Sequence, residues 1–229
     1  MATLGLIGSG NIGSTVARLA VAGGYDVVLS NSRGPDTLGD LVDHLGPKAR
    51  AATPTDAASS ADLVVATIPL YRYRELPGEA LRGTIVIDTM NYYPGRDGTI
   101  PELEDESTTT SELVQAFLAE SRVVKSLNNI FFRHLADLTR PSGAPDRSAL
   151  PVAGDDPSAK AEVAAVLDAL GYDTVDAGPL AQGWRFQRDT AAYGLPYAAH
   201  PDDWGAGARP AGVSTIEAAL ARARRYRDM

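Results

Sequence analysis

The chain of 229 residues contains no cysteine, which excludes disulfide bonds, thiol catalysis and cysteine-ligated metal sites. Its three histidines, His44, His134 and His200, lack the spacing of metal ligands, so we expect no metal site. Positive charge is also scarce, since 21 lysines and arginines stand against 29 acidic residues and give a net charge of −8. This balance disfavours binding to nucleic acid or to an anionic membrane surface.

Long hydrophobic runs are lacking as well, and none approaches the length that crosses a membrane. No basic segment followed by an apolar run opens the chain, so we expect no signal peptide and a cytoplasmic location. Hydrophobic residues make up 44% of the chain and charged residues 22%. That composition is typical of a globular protein with a substantial core.

The beginning of the chain carries the most informative pattern. An apolar run over residues 4–7 predicts a buried strand, and apolar residues at helical spacing follow from Thr15 onward. Between them Gly8, Gly10 and Gly13 have the spacing G-x-G-x-x-G, which in this strand–turn–helix context indicates a dinucleotide-binding turn. The first glycine permits the tight turn, the second leaves room for a pyrophosphate, and the third lets helix and strand approach closely. The helix N-terminus would then bind the phosphates.

The end of the second predicted strand, over residues 25–30, indicates which dinucleotide binds. An NAD site usually has an acidic residue there, about 20 residues after the glycines, to bind the ribose. This chain instead has Ser32 and Arg33, whose hydroxyl and guanidinium suit the 2′-phosphate of NADP. We therefore predict NADP(H) as the cofactor. Two alternatives stay open: Arg33 is a solvated loop residue, or Asp36 points at the ribose and weakens the preference.

Apolar runs alternate with helical patterns along most of the chain. This alternation predicts an α/β fold of the Rossmann type, with a doubly wound, mostly parallel sheet and helices on both faces. Later strands are expected at 61–68, 84–88, 122–127, 150–154 and 172–176. Helices are expected to begin at Pro35, Pro54 and Pro157, the last two capped by Thr53 and Asp156, and another to span Glu112–Ala119.

Loops are predicted at residues 92–110 and 182–213, and a final helix at 214–227 that begins with a capping box at Ser214. We therefore divide the chain into a nucleotide-binding domain, 1–180, and a C-terminal extension, 181–229, made of an aromatic loop and that helix. The apolar stripe of the helix packs either on its own domain or on a second subunit. Together with the long aromatic loop it leads us to expect a homodimer.

These features together resemble a known family, the NADPH-dependent reductases of the deazaflavin coenzyme F420. The chain is also similar to the NADP-binding domain of the STEAP-type metalloreductases, and the resemblance runs from residue 1 to about 180. The segments that carry it are Gly8-Ser9-Gly10-Asn11-Ile12-Gly13, Asn31-Ser32-Arg33, Thr67-Ile68-Pro69, residues 123–130 and Gly178-Pro179-Leu180.

The resemblance implies a role for each of these segments. The glycine loop would bind the phosphates, Ser32 and Arg33 the 2′-phosphate, and Thr67, Ile68 and Pro69 would lie along the cofactor. Residues 123–130 would flank the nicotinamide, and Leu180 would pack near it. The implied reaction is hydride transfer between NADPH and coenzyme F420 or a flavin. The family offers no counterpart to the segment after residue 181.

Some polar side chains at the predicted carboxyl edge of the sheet are open to two interpretations. Asn91, Asn128 and Asn129 either hydrogen-bond the nicotinamide carboxamide or cap helices. Lys125, unusual in a central strand, either binds an acidic group of the acceptor or extends to the strand end.

Trp184, Phe186 and Tyr193 either line an acceptor pocket or fill the core. We assign no catalytic residue, because hydride transfer between two stacked rings depends on orientation and exclusion of water rather than on an acid or base.

Two other functions compete with this one. A reductase of a small imine or hydroxy acid would use the same dinucleotide fold, but such enzymes usually carry a large helical C-terminal domain. Only about 50 residues follow the last predicted strand, too few for that domain. A non-catalytic NADPH sensor would need the same binding residues, and turnover with any acceptor would exclude it.

Overall fold

The computed structural model describes residues 2–228. They form an eight-stranded sheet with helices packed against it, which confirms the predicted α/β fold. The strands are β1 (Thr3–Ile7), β2 (Asp26–Ser30), β3 (Ala49–Ala51), β4 (Leu63–Ala66), β5 (Ile85–Asp88), β6 (Arg122–Lys125), β7 (Ala149–Gly154) and β8 (Asp173–Asp176).

The order of strands across the sheet is β3-β2-β1-β4-β5-β6-β7-β8. The first six are parallel to one another, while β7 is antiparallel to β6 and β8 is parallel to β7. The chain passes from β1 outward to β3 and then returns to β4 beside β1. That reversal is the topological switch point where open α/β sheets bind ligands.

The register brings the carboxyl ends of the central strands into line. Ile7 pairs with both Ser30 and Ala66, Ala66 pairs with Asp88, and Asp88 pairs with Lys125. The loops that follow these strands therefore meet at one edge of the sheet.

Buried side chains form one layer on each face of the sheet. In β4, Leu63 and Val65 belong to one layer, and Val64 and Ala66 belong to the other. Successive side chains of a strand point to opposite faces, so a strand covered on both faces must be apolar throughout. The unbroken apolar runs of the sequence therefore reflect strands that are covered on both faces.

The helices are α1 (Asn11–Ala22), α2 (Gly39–Leu45), α3 (Pro54–Ser59), α4 (Pro94–Asp97), α5 (Pro101–Glu104), α6 (Thr110–Phe117), α7 (Phe132–Asp137), α8 (Pro157–Ala169) and α9 (Val213–Ala221). Two predicted caps are confirmed, since Thr53 accepts a hydrogen bond from the Asp56 N–H and Asp156 accepts from the N–H groups of Ser158 and Ala159. No helix within residues 2–228 is long and apolar enough to cross a membrane.

The prediction for the final helix is wrong at both ends. α9 begins one residue early, because the Gly212 carbonyl already accepts from the N–H groups of Thr215 and Ile216. Gly212 is the N-cap and has no side-chain cap bond, so the predicted capping box at Ser214 does not form. The helix ends at Ala221 instead of 227. The Tyr226 N–H donates to Oε1 of Glu106 outside the helix, and Tyr226–Asp228 form a separate 3-10 turn.

Four smaller differences concern single elements. β3 has only three residues, too few to give a pattern. Pro35 starts a 3-10 turn, Pro35–Leu38, before α2, and the predicted loop at 92–110 contains the single-turn helices α4 and α5. The helix predicted at Glu112–Ala119 lies two residues earlier, because Thr109 and Glu112 form a capping box.

The segment after β8 folds onto the sheet rather than forming an open loop. Its 3-10 segment Leu180–Phe186 contacts β7 and α6, and the side chains of Phe186 and Tyr197 are fully buried. The apolar stripe of α9 packs on the same chain, since Ile216 and Ala219 are fully buried and the helix contacts β7 and β8. The division of the chain at residue 180 stays a prediction.

Candidate functional site

The glycine turn after β1 has the geometry that close backbone packing requires. Gly8 has φ = +110°, and a Cβ at this position would lie 2.2 Å from the carbonyl oxygen of Thr67. A Cβ on Gly13 would lie 2.2 Å from the carbonyl oxygen of Gly8. At Gly10, by contrast, a Cβ would meet nothing within 4 Å. Gly8 and Gly13 are thus fixed by the fold, while Gly10 borders open space at the N-terminus of α1.

That N-terminus is available to an anion. Gly10 is the N-cap of α1, makes no side-chain cap hydrogen bond, and is followed by a first turn without acidic residues. The positive end of the helix dipole therefore faces the open space next to Gly10. The residues present fit a dinucleotide pyrophosphate at this place.

Hydrogen bonds fix the loop after β2 beside the glycine turn. The Ser9 hydroxyl donates to the Ser30 carbonyl at 2.9 Å, and the Asn31 side-chain oxygen accepts from the Arg33 N–H at 2.9 Å. The side chains of Ser32 and Arg33 project from this loop and are exposed.

A cavity of about 580 Å³ lies between these two loops. Its lining includes Ser9, Gly10, Asn31, Ser32, Arg33, Thr53, Pro54, Thr67, Ile68, Pro69, Arg72 and Glu75. Asp36, the residue that could have weakened the NADP preference, does not line it. We call this space the adenosine-side cavity.

Arg72 and Glu75 are residues of the adenosine-side cavity that the sequence analysis missed. They lie on a 3-10 segment, Leu70–Glu75, directly after Pro69, and form a bidentate ion pair with Nε–Oε distances of 3.0 and 2.9 Å. The cavity therefore holds two guanidiniums, those of Arg33 and Arg72, and one carboxylate that is paired with Arg72. The only available signal was their closeness to the Thr67–Pro69 turn.

A second cavity of about 430 Å³ continues from the first. Both are bordered by Gly10, Thr67, Ile68 and Pro69. The other residues that line the second cavity are Asn11, Ile12, Thr89, Met90, Asn91, Tyr93, Arg96, Leu127, Asn128, Ile130, Phe131, Phe132, Tyr193 and Trp204. Five of these side chains are aromatic. We call this space the nicotinamide-side cavity.

Asn91 and Asn128 face each other in the nicotinamide-side cavity. The Asn91 amide donates to the Asn128 carbonyl at 2.8 Å, and the Asn128 amide donates to the Asn91 side-chain oxygen at 3.1 Å and to the Phe186 carbonyl at 2.9 Å. The side-chain oxygen of Asn128 is buried without a hydrogen-bond partner. An unpaired buried acceptor is costly, so this oxygen is suited to accept from a bound carboxamide.

The helix-cap alternative for these asparagines is wrong, because the N-caps of α4 and α7 are Tyr93 and Phe131. Asn129 points away from the cavity instead, and its amide donates to the Ala192 carbonyl at 2.9 Å.

Lys125 does not reach an acceptor. Its side chain is fully buried and donates to the Met90 carbonyl at 2.9 Å and to the Thr110 hydroxyl at 3.0 Å, with Oδ2 of Asp88 at 3.6 Å. Both interpretations of this lysine, as an acceptor ligand and as a chain that extends to the strand end, are therefore wrong. It lies beneath the cavity and fixes the backbone at Met90.

Four other candidates also lie outside the two cavities. Leu180 is 1% exposed and packs in one core layer, and Phe186 is fully buried in the other. His134 is buried and hydrogen-bonds the Trp204 carbonyl at 2.7 Å through Nε2. Trp184 stacks against the Arg225 guanidinium. Within the described part of the chain no group of three or more His, Cys, Asp or Glu side chains could hold a metal ion.

A pair of tyrosines is the second feature that sequence analysis missed. The hydroxyl oxygens of Tyr93 and Tyr193 lie 2.7 Å apart, although 100 residues separate them along the chain. The guanidiniums of Arg96 and Arg188 lie 4.8 and 5.3 Å from the centroid of the Tyr93 ring. Burial, with the hydrogen bond to Tyr93, raises the pKa of Tyr193.

Comparison with known proteins agrees with this geometry. Residues 3–92 match the sequence profile of a family described as NADP oxidoreductase, coenzyme F420-dependent. This match confirms the resemblance over the glycine turn, the loop after β2 and the first residues of the nicotinamide-side cavity. No curated protein matches the chain in sequence.

Solved structures extend the similarity to most of the chain. A hypothetical protein, SMa0349 from Sinorhizobium meliloti, is 28% identical with a TM-score of 0.72, covering 82% of this chain and 91% of its own. A protein from Arthrobacter sp. FB24, provisionally named an F420-dependent NADP reductase, is 27% identical with a TM-score of 0.66, covering 78% and 85%. The 3-hydroxyisobutyrate dehydrogenase of Mycobacterium tuberculosis, at 17% identity and TM-score 0.57, covers 78% of this chain and 55% of its own and shares the fold.

Proposed function

We propose that this chain transfers a hydride between NADPH and coenzyme F420 or a related flavin. The premise is that the chain is an NADP-dependent oxidoreductase, related over residues 3–92 to the coenzyme F420-dependent family. The observation that carries the proposal is the continuity of the two cavities at the switch point of the sheet. One cavity offers hydroxyl and guanidinium groups, and the other offers aromatic rings.

In this proposal the adenosine-side cavity binds the phosphates of NADP. Ser32 and Arg33 bind the 2′-phosphate, Arg72 adds a second positive charge, and the uncapped N-terminus of α1 at Gly10 binds the pyrophosphate. The shared border of Thr67, Ile68 and Pro69 lies along the middle of the cofactor.

The nicotinamide-side cavity then orients the reacting rings. Asn128 accepts a hydrogen bond from the carboxamide, which fixes the face that the nicotinamide presents. Phe131, Phe132 and Trp204 provide flat apolar surfaces against which a planar acceptor stacks. When bound, NADPH supplies the hydride, and the protein contributes proximity, orientation and exclusion of water.

The first experiment mixes the purified protein with NADPH and oxidised coenzyme F420 and follows the loss of the deazaflavin absorbance. We expect bleaching with NADPH and little with NADH. Bleaching with FMN but not F420 would identify a flavin acceptor. Tight NADPH binding without turnover of F420, FMN or a cyclic imine would favour an NADPH sensor.

We also propose a homodimer in the cytoplasm. The α9 stripe is buried within the chain, so the support for the dimer comes from exposed apolar side chains of the C-terminal extension, those of Leu195 and Val213. A sedimentation coefficient of a monomer would refute it.

A further inference from the structure

We propose that Tyr93 is the proton donor to the hydride acceptor, with Tyr193 as the residue that positions it. This inference rests on the proposed function and adds a catalytic residue to it.

Two phenols that share one hydrogen bond use only one of their two protons for it. The oxygens of Tyr93 and Tyr193 are 2.7 Å apart, and neither hydroxyl has another hydrogen-bond partner among the described residues. Both side chains line the nicotinamide-side cavity. One O–H group is therefore free to donate to whatever binds there.

The surroundings identify Tyr93 as the tyrosine that gives up its proton. The guanidiniums of Arg96 and Arg188 lie over its ring at 4.8 and 5.3 Å from the centroid. Burial raises the pKa of Tyr193, so Tyr193 keeps its proton and donates it in the shared hydrogen bond. The O–H group of Tyr93 is therefore the one left to donate into the cavity.

Ion pairs hold the two arginines beside the Tyr93 ring. Arg96 pairs with Asp97 and Arg188 pairs with Asp189, so each carboxylate is engaged by its own arginine. Asp97 is also fixed by the Tyr93 N–H, which donates to its Oδ2 at 2.8 Å. The two arginines thus remain in place beside the ring.

The reaction balances with an acceptor that contains a conjugated C=N or C=O group. The hydride from NADPH forms a C–H bond at the acceptor, the electron pair of the acceptor double bond moves to its nitrogen or oxygen, and that atom takes the Tyr93 proton. NADPH is oxidised to NADP⁺, the acceptor is reduced, and the phenolate regains a proton from water. The inferred acceptor class is therefore planar and requires one proton in addition to the hydride.

The test compares Tyr93→Phe and Tyr193→Phe with Tyr226→Phe. The Tyr226 hydroxyl donates to the Arg188 carbonyl at 2.7 Å, and its ring also lies near the Arg188 guanidinium, but it does not line the nicotinamide-side cavity. It is therefore a matched control for loss of a half-buried hydroxyl. Single-turnover rates are measured with NADPH and each of coenzyme F420, FMN and 1-pyrroline, in H₂O and in D₂O.

We expect Tyr93→Phe to lower the single-turnover rate about 100-fold or more, the range for loss of a general acid. Tyr193→Phe should lower it about 10-fold, since it removes one hydrogen bond to the developing phenolate. Tyr226→Phe should keep the wild-type rate. The NADPH dissociation constant should be unchanged in all three, and the solvent isotope effect should disappear in Tyr93→Phe.

Three outcomes would overturn the assignment. Turnover of Tyr93→Phe at the wild-type rate would exclude a donor role while the proposed function stands. Equal losses in rate and NADPH affinity would indicate a structural role for the pair. If the wild type neither binds nor turns over any of the three acceptors, both proposals are overturned.

Discussion

The lysine buried beneath the site leads to a quantitative prediction. Lys125 and Asp88 have fully buried side chains, with Nζ and Oδ2 3.6 Å apart. The lysine donates to the Met90 carbonyl at 2.9 Å, and the Met90 N–H donates to Asp88 Oδ1 at 2.8 Å. The ion pair therefore fixes both polar groups of a residue that lines the nicotinamide-side cavity.

We expect Asp88→Asn to destabilise the protein by about 3–5 kcal/mol at pH 7, because it leaves a buried charge without its partner. Loss of the Lys125 proton would remove the unpaired buried charge. Neutralising a lysine of reference pKa ~10.4 at pH 7 costs about 4.6 kcal/mol, at about 1.36 kcal/mol per unit of pKa. The loss of stability from the unpaired charge is therefore limited to roughly 5 kcal/mol.

Because Lys125 can lose its proton, the stability lost in Asp88→Asn should depend on pH. Burial lowers the pKa of Lys125 and Asp88 opposes that shift, so Asp88→Asn lowers this pKa further. Between the lowered folded pKa and the unfolded value of about 10.4, the unfolded state binds more protons, and stability rises with pH. The loss caused by Asp88→Asn should therefore shrink from pH 7 to pH 9, by at most about 1.4 kcal/mol per pH unit.

The assay is urea denaturation followed by circular dichroism at pH 7, 8 and 9. The control is the double variant Asp88→Asn with Lys125→Met, which removes both charges and should be less destabilised than Asp88→Asn alone. It should also show no rise of stability relative to the wild type between pH 7 and pH 9. A loss below about 1 kcal/mol in Asp88→Asn, or a loss independent of pH, would refute the reasoning.

Three further predictions concern cofactor binding and the support of the site. Arg33→Gln should raise the NADPH dissociation constant about 10- to 100-fold, which corresponds to the loss of a charge-assisted hydrogen bond, and should leave NADH binding unchanged. The control for net charge is Arg74→Gln, because Arg74 is exposed and lies outside the cavity. An equal loss of NADPH affinity in Arg74→Gln would contradict a direct contact between Arg33 and the cofactor. Gly10→Ala should keep the unfolding midpoint of the wild type but weaken NADPH binding. Gly13→Ala should lower the unfolding midpoint, because its Cβ would lie 2.2 Å from a backbone oxygen. Equal unfolding midpoints for the two variants would be inconsistent with this geometry. Thr109→Ala should lower the free energy of unfolding by about 1 kcal/mol, because it removes the N-cap of α6. NADPH affinity, measured by fluorescence titration, should be unchanged, and weaker NADPH binding would show that α6 influences the site.

Much of the fold could be predicted because its causes are local. The strand–glycine–helix pattern from residue 4 onward, the proline and cap residues at Thr53 and Asp156, and the unbroken apolar strands each depend on a few neighbouring residues. The failures have local causes too. Ser214 begins a capping-box pattern, but the chain enters the helix one residue earlier, because Gly212 adopts the cap conformation.

The candidate site was only partly accessible to this reasoning. Ser32, Arg33 and Asn128 follow strand ends, and a parallel sheet brings strand ends together, so their presence at the cavities could be expected. Lys125 follows the same rule in sequence but points below the cavity. Position along a strand does not reveal which way a long side chain bends to find its partners.

The α/β fold and the dinucleotide turn follow from local sequence patterns, because hydrophobic periodicity and glycine geometry act over a few residues. Which side chains share the nicotinamide-side cavity depends instead on contacts between distant parts of the chain. Tyr93 and Tyr193 meet across 100 residues of chain, and Arg72 enters the adenosine-side cavity from a short 3-10 segment. The tyrosine pair depends on how the C-terminal extension packs against the sheet, which is a sum of many weak contacts that no local pattern records.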